Sequence, residues 1–258
     1  MECAWYAGSA SRLTCGNGCE GRRPAGLGGR VLRYLDELAE YFARAAYLEA
    51  ASVPAFTFLH EELVLHGAPR ALAARALTAR ADEVRHARLM GWLARRLGVT
   101  PEAPAALRRK PRALLDMAIE NAVEGCVRET WGALLAAYQA ERSTNAPVRR
   151  VMAVVAREEL EHAQLGHEVA EWLDRKLTRS QRRRVQVARL CAVVELRQQV
   201  AVAPSARLQS FAGFPDAPRA LAMFDALFSE LGPRASALAP RGANRAPARI
   251  GRALRRSA

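Results

Sequence analysis

A pattern of one glutamate, a long gap and then Glu-x-x-His occurs twice in this chain. It runs from Glu49 to Glu83 and His86, and again from Glu124 to Glu159 and His162. The two glutamates lie 34 residues apart in the first copy and 35 in the second, and the copies are offset by 75 or 76 residues. On a helix, positions i and i+3 share a face about one turn apart, so each Glu-x-x-His aims two side chains at one point. The neighbours on those faces are apolar or small. Phe42, Ala46, Val53 and Phe56 surround Glu49, while Ala79 and Met90 flank Glu83 and His86. Met117, Val127, Trp131 and Leu135 surround Glu124, and Val155 and Leu165 flank Glu159 and His162. Four apolar stripes, each carrying a carboxylate, have to close around one interior. The pattern predicts an all-α protein built on a four-helix bundle.

An isolated buried carboxylate costs several kcal/mol, and four together drive one another neutral or unfold the bundle. Two divalent cations remove the difficulty, because four negative charges meet four positive ones and neutral imidazoles complete the coordination. The predicted metal ligands are Glu49, Glu83, His86, Glu124, Glu159 and His162. Glu83 and Glu159 would bridge, Glu49 and Glu124 would bridge or bind singly, and each histidine would be terminal on one metal. Mixed carboxylate and imidazole ligation suits iron or manganese better than zinc or calcium. The expected cofactor is therefore two Fe ions, or a Mn/Fe pair. Glu120 and Glu129 compete with Glu124 for the third-helix position. Glu120 is one turn away on the same face, and Glu129 lies five residues on and less well placed, so the repeat spacing favours Glu124.

Half of the 258 residues are apolar and only 6% are aromatic, which suits helices better than sheet. No stretch reaches the roughly 20 uninterrupted apolar residues of a membrane span, and a cytoplasmic location is the default. The formal charge of +13 is not a nucleic-acid signal in itself. Lys110 and Lys176 are the only lysines, and arginine with so much Ala, Gly and Pro reflects coding bias. Seven arginines without an acid between Arg234 and Arg256 read as a disordered basic tail, with a solvated tail favoured over polyanion contact. Cys126 and Cys191 read as packed thiols. Cys3, Cys15 and Cys19 lie in a Gly-rich leader without the paired Cys-x-x-Cys of a rubredoxin-type site.

Helical patterns run over about Val31–Leu65, Arg70–Leu97, Arg112–Arg142 and Val148–Leu177. Short links between the first and second, and the third and fourth, make two antiparallel hairpins joined by a Pro-rich crossover through Pro101, Pro104 and Pro111. Pro54 predicts a kink just past Glu49. Two further helices, about Gln181–Val200 and Pro218–Leu231, would pack outside the bundle. The predicted organisation is a leader over 1–29, a bundle over 30–177, accessory helices over 178–232 and a basic tail over 233–258. His60, placed where it could line an entrance, and His66 and His167 are read as ordinary histidines.

Over about residues 31–177 the chain resembles the ferritin-like superfamily of di-iron carboxylate proteins. Asp82-Glu83-Val84-Arg85-His86, with Glu49 upstream, is similar to the signature of its oxygen-activating enzymes. The resemblance implies that Asp82 orients a metal-bound histidine and that Arg85 pairs with Asp82. The second copy, Glu158-Glu159-Leu160-Glu161-His162, departs from the signature: Glu158 can replace the aspartate, but Glu161 cannot replace the arginine. Glu49 to Phe56 with Glu124 to Thr130 is also similar to a ferritin-like group of bacterial proteins, which names no substrate. The implied function is a di-iron or Mn/Fe oxidoreductase that uses O2 or peroxide to oxidise an organic substrate. It would need an external electron donor, and a homodimer is left open. The alternatives are iron handling or peroxide scavenging, and a metal-stabilised scaffold without catalysis.

Overall fold

The computed structural model describes residues 22–23, 36–105 and 110–230, and all of its regular structure is helical. The basic tail, the predicted first residues of helix one and all of the leader except Arg22 and Arg23 lie outside these residues.

Helix α1 (Glu37–Leu65) begins where the Asp36 side chain accepts a hydrogen bond from the Ala39 N–H, an N-cap that also sets acidic residues in the first turn. It ends at Gly67, whose φ of +71° turns the chain. There the Ala68 N–H bonds back to the Leu63 carbonyl at 2.8 Å, closing a glycine-type helix terminus. Pro54 lies inside α1, which is one uninterrupted element from Glu37 to Leu65. Helix α2 (Arg70–Arg96) packs back along α1 as the first hairpin.

The third rod is composite. Helix α3 (Leu114–Glu120) passes into a π-helical segment (Asn121–Arg128) and then into α4 (Glu129–Arg142). It starts two residues later than the sequence suggests, and the Arg112 N–H just before it donates to the Glu62 side chain at 2.9 Å. Helix α5 (Ala146–Asp174) opens on the Asn145 cap and forms the second hairpin with α4. The hairpins meet chiefly through α2 and α5, the two helices that carry Glu-x-x-His.

Two apolar clusters occupy the interior. One gathers Phe42, Met90, Val127, Trp131, Val155 and Phe224, and the other gathers Phe56, Leu59, Ala79, Met117, Leu165 and Trp172. Along each helix the carboxylates fall between the two clusters: Glu49 between Phe42 and Phe56, Glu83 between Ala79 and Met90, Glu159 between Val155 and Leu165. The core is thus interrupted at mid-height by a polar layer.

Helix α6 (Arg179–Val200), started by a Thr178–Gln181 capping box, packs on α3 and the π segment. A short π segment (Leu208–Ala212) leads to α7 (Ala217–Glu230), which packs on α6 and sets Phe224 against Trp131. No helix among the described residues is long and apolar enough to cross a membrane. Cys126 is a buried free thiol, as expected, whereas Cys191 is disulfide-bonded and so is no packed thiol.

Candidate metal centre

Helices α1, α2, α4 and α5 bring Glu49, Glu83, His86, Glu129, Glu159 and His162 together in the polar layer. Ligand atoms of Glu49, Glu83, His86 and Glu159 lie within 4.8 Å of one another, and so do those of Glu129, Glu159 and His162. All six residues are buried, none more than 3% exposed.

Ten ligand atoms there have no hydrogen-bond partner: both oxygens of each of the four glutamates, and Nδ1 of both histidines. Orphans of this kind are costly and rare in a folded interior. Ten converging on one layer form a cage that could hold metal cations, which would take up these atoms as ligands. Glu83 spans the layer: Oε1 lies 3.2 Å from His162 Nδ1 and Oε2 lies 3.8 Å from His86 Nδ1. Glu159 Oε1 is 3.2 Å from His86 Nδ1 and 3.7 Å from His162 Nδ1. Both therefore reach both histidines, the position from which a carboxylate could serve two metals. Glu49 sits on the His86 side and Glu129 on the His162 side.

The far nitrogen of each imidazole is held across the hairpin boundary. His86 Nε2–H donates to Glu158 of α5 at 3.0 Å, and His162 Nε2–H lies 3.4 Å from Asp82 of α2. Each contact orients its ring so that Nδ1 faces the cage. Arg85 ties the two carboxylates together, pairing with Asp82 at 3.2 Å and with Glu158. Asp82, Arg85 and Glu158 thus all stand behind the cage. Asp82 orients the histidine of the other motif rather than its own.

Glu124 is corrected. Its carboxylate lies outside the cage, 3.4 Å from Arg128 Nε, and accepts from the Arg23 N–H at 3.2 Å. Glu129 takes the position. Five residues separate the two, about 140° around an α-helix, which is why Glu129 reads as badly placed. The π segment changes that geometry: the Glu129 N–H donates to the Glu124 carbonyl five residues back, so fewer turns separate them than α-helical spacing assumes. Close packing accompanies the segment. Gly125 and Gly166 are in backbone contact, and a Cβ built on Gly166 would lie 2.5 Å from the Gly125 oxygen. Asn121 Nδ2 donates to the Gly166 carbonyl at 2.8 Å. The sequence signal for Glu129 was its place in the run Glu120, Glu124, Glu129; nothing in that run announced the π turn.

Protonation follows from crowding in the metal-free chain. Burial, and then the neighbouring Glu49 and Glu159 charges, raise the Glu83 carboxyl well above the usual range. Burial and Glu159 raise Glu129 to about 8. For Glu49, His86 outweighs burial and lowers the carboxyl. Burial opposes the charged form of His86, but Glu159, Glu49 and Glu83 prevail and raise it to about 12. Metal entry has to displace these protons.

The other histidines do not join the cage. His60 donates to the Ala73 carbonyl and His66 to the Arg112 carbonyl. His167 contacts Thr130 Oγ1 at 3.2 Å, and burial lowers it to about 3.

Comparison with protein-family models, with curated proteins and with solved structures found no match to this chain.

Proposed function

We propose that the chain is a ferritin-like dimetal protein, and that its cage carries two Fe ions or a Mn/Fe pair for oxidoreductase chemistry with O2 or peroxide on an organic substrate. The observation that carries this reading is the set of ten buried ligand atoms without partners, divided evenly about Glu83 and Glu159. Four carboxylates balance two dications, and hard oxygens with two imidazoles suit iron and manganese. Bound there, such a pair supplies electrons and Lewis acidity for reduction of the oxidant.

The chain's own residues do the rest. Glu83 and Glu159 hold the two positions at a fixed separation, because each is rooted in a long helix. Asp82 and Glu158 accept from Nε2–H of His162 and His86, which aims Nδ1 of each ring inward and raises the basicity of both rings. Arg85 neutralises the two carboxylates and locks α2 to α5. Phe56, fully buried with its ring 5.0 Å from His162, keeps water from that side. Electrons come from a donor outside this chain.

The test is anaerobic loading of the metal-free protein with Fe(II), a metal count, and O2 uptake after mixing. Two irons per chain and O2 consumption that disappears in Glu83→Ala are the expected result. Zinc held with no reaction toward O2, or no stoichiometric metal, would leave the scaffold reading. Repeated oxidation of freshly added Fe(II) by O2 with no other electron donor or organic substrate would favour iron handling.

A further inference from the structure

Arg22 is among the largest fully buried side chains of the protein, 1% exposed, yet it belongs to no helix. Its guanidinium is held bidentately by Glu120, Nε to Oε1 at 2.9 Å and Nη2 to Oε2 at 2.7 Å, with Nη2 also donating to Asn121 Oδ1 at 3.2 Å. Its Cζ lies 5.7 Å from the centroid of the Phe56 ring. Gly125 leaves room for it, since a Cβ there would stand 3.3 Å from Nη1. The same Phe56 ring lies 5.0 Å from the His162 ring, so one aromatic side chain touches both this seat and the cage.

The charges around the seat favour a cation. Arg112 is shared between Glu62, at 2.6 Å, and Glu120, at 3.0 Å. Glu120 therefore receives two guanidinium groups, that of Arg112 and that of Arg22. The cage itself, with four carboxylates and two dications, is neutral and does not repel a cation. A fork-shaped carboxylate contact, an extra amide oxygen and an aromatic face match a planar guanidinium better than a point-charged ammonium.

We propose that this seat is a recognition site for a guanidinium compound, with Arg22 as an internal stand-in, and that the organic substrate of the neighbouring centre is such a cation. The substrate assignment rests on the oxidoreductase reading above. Binding at the seat does not. A free guanidinium compound takes the place of Arg22, anchors on Glu120 and Asn121, and presents the rest of its structure past Phe56 toward the centre. Because a tethered side chain acts at an effective concentration in the millimolar range, the intact chain binds the free cation more weakly than a chain without Arg22.

The test uses methylguanidinium as probe and Mn(II) as a paramagnetic metal in the cage, with NMR relaxation of the probe's methyl protons as the readout. Saturable relaxation enhancement is expected in Arg22→Ala. It is expected to vanish when Glu120→Gln is added at equal Mn(II) content, and to reappear in the intact chain at roughly tenfold or more higher probe concentration. Equal enhancement with Glu120→Gln, equal binding of methylammonium, or no enhancement in the intact chain would overturn the proposal. The intact chain needs no variant to fold. If Mn(II) does not bind at all, the metal reading has failed instead, and a thermal shift of the metal-free Arg22→Ala protein by methylguanidinium still decides the seat: a shift lost with Glu120→Gln supports it, and no shift refutes it.

Discussion

The two hairpins deliver the same set of buried side chains, two glutamates and a histidine each, by different backbones. In the first, Glu49 sits on one regular helix, 34 residues before Glu83. In the second, the matching carboxylate is Glu129, only 30 residues before Glu159, and it stands at the junction of a π segment with α4. Sequence spacing transfers from one hairpin to the other only while both follow the α-helical repeat. Where the second departs from it, the spatial position is kept and the count is not. π turns concentrate at functional sites, and this one adjoins the cage, the Gly125–Gly166 contact and the Arg22 seat.

The sharpest way to break this comparison is to remove each candidate carboxylate of the second hairpin in turn. Glu129→Ala is expected to weaken metal binding on the His162 side by 100-fold or more, on the order of 3 kcal/mol, since it deletes a ligand of the proposed centre. Glu124→Ala, which loses largely buried ion pairs with Arg23 and Arg128 but no atom of the cage, should change metal affinity by less than about threefold. Equilibrium dialysis with elemental analysis reads both, and the reverse ranking would restore the spacing-based assignment.

A second contrast concerns the contacts behind the cage. Asp82→Asn should act on the His162 position and Glu158→Gln on the His86 position, each lowering affinity there by about 10- to 100-fold. Paramagnetic NMR of the imidazole signals distinguishes them. Perturbation of the histidine in the same motif as the mutated residue would contradict the crosswise pairing.

Gly166→Ala probes the close contact beside the π segment. The added methyl meets backbone rather than a movable side chain, so about 1–3 kcal/mol of destabilisation is expected, a fall in melting temperature of several degrees. The equivalent α2 position, Met90, four residues past its histidine as Gly166 is past His162, already carries a large side chain. An unchanged melting temperature would mean that the two rods are not in fixed contact.

The smallest effect expected is in pH dependence. In the metal-free chain Glu129 holds a proton up to about pH 8 that the unfolded chain releases near 4.5, and His86 holds one up to about 12 that the unfolded chain releases near 6.5. The folded state therefore binds more protons, and its stability falls as pH rises, from about 4.5 to about 8 through Glu129 and from about 6.5 to about 12 through His86. Metal loading removes those protons, so the gap in melting temperature between loaded and metal-free protein should widen over the same intervals. A constant gap would contradict the proton-laden cage.

Much of this was legible from residues alone. The Glu-x-x-His pairs, the stripe around Glu49 and the hairpin loops at Gly67 and Asn145 follow from local periodicity and capping, and the structure places each within a few residues of the reading. Glu129 was hidden because a π turn has no sequence signature comparable to an N-cap. The crosswise contacts of Asp82 and Glu158 depend on which helices meet, and that is decided by packing across 70 or more residues of chain. Arg22 carried no signal at all, lying in a Gly-rich stretch outside any apolar stripe.

Anomalous X-ray scattering from crystals of protein loaded with Fe or Mn tests the dimetal centre most directly. Two peaks per chain are expected between α2 and α5, both flanked by Glu83 and Glu159, one beside Glu49 and His86 and the other beside Glu129 and His162. A single peak, or a peak coordinated by Glu124, would contradict the centre described here.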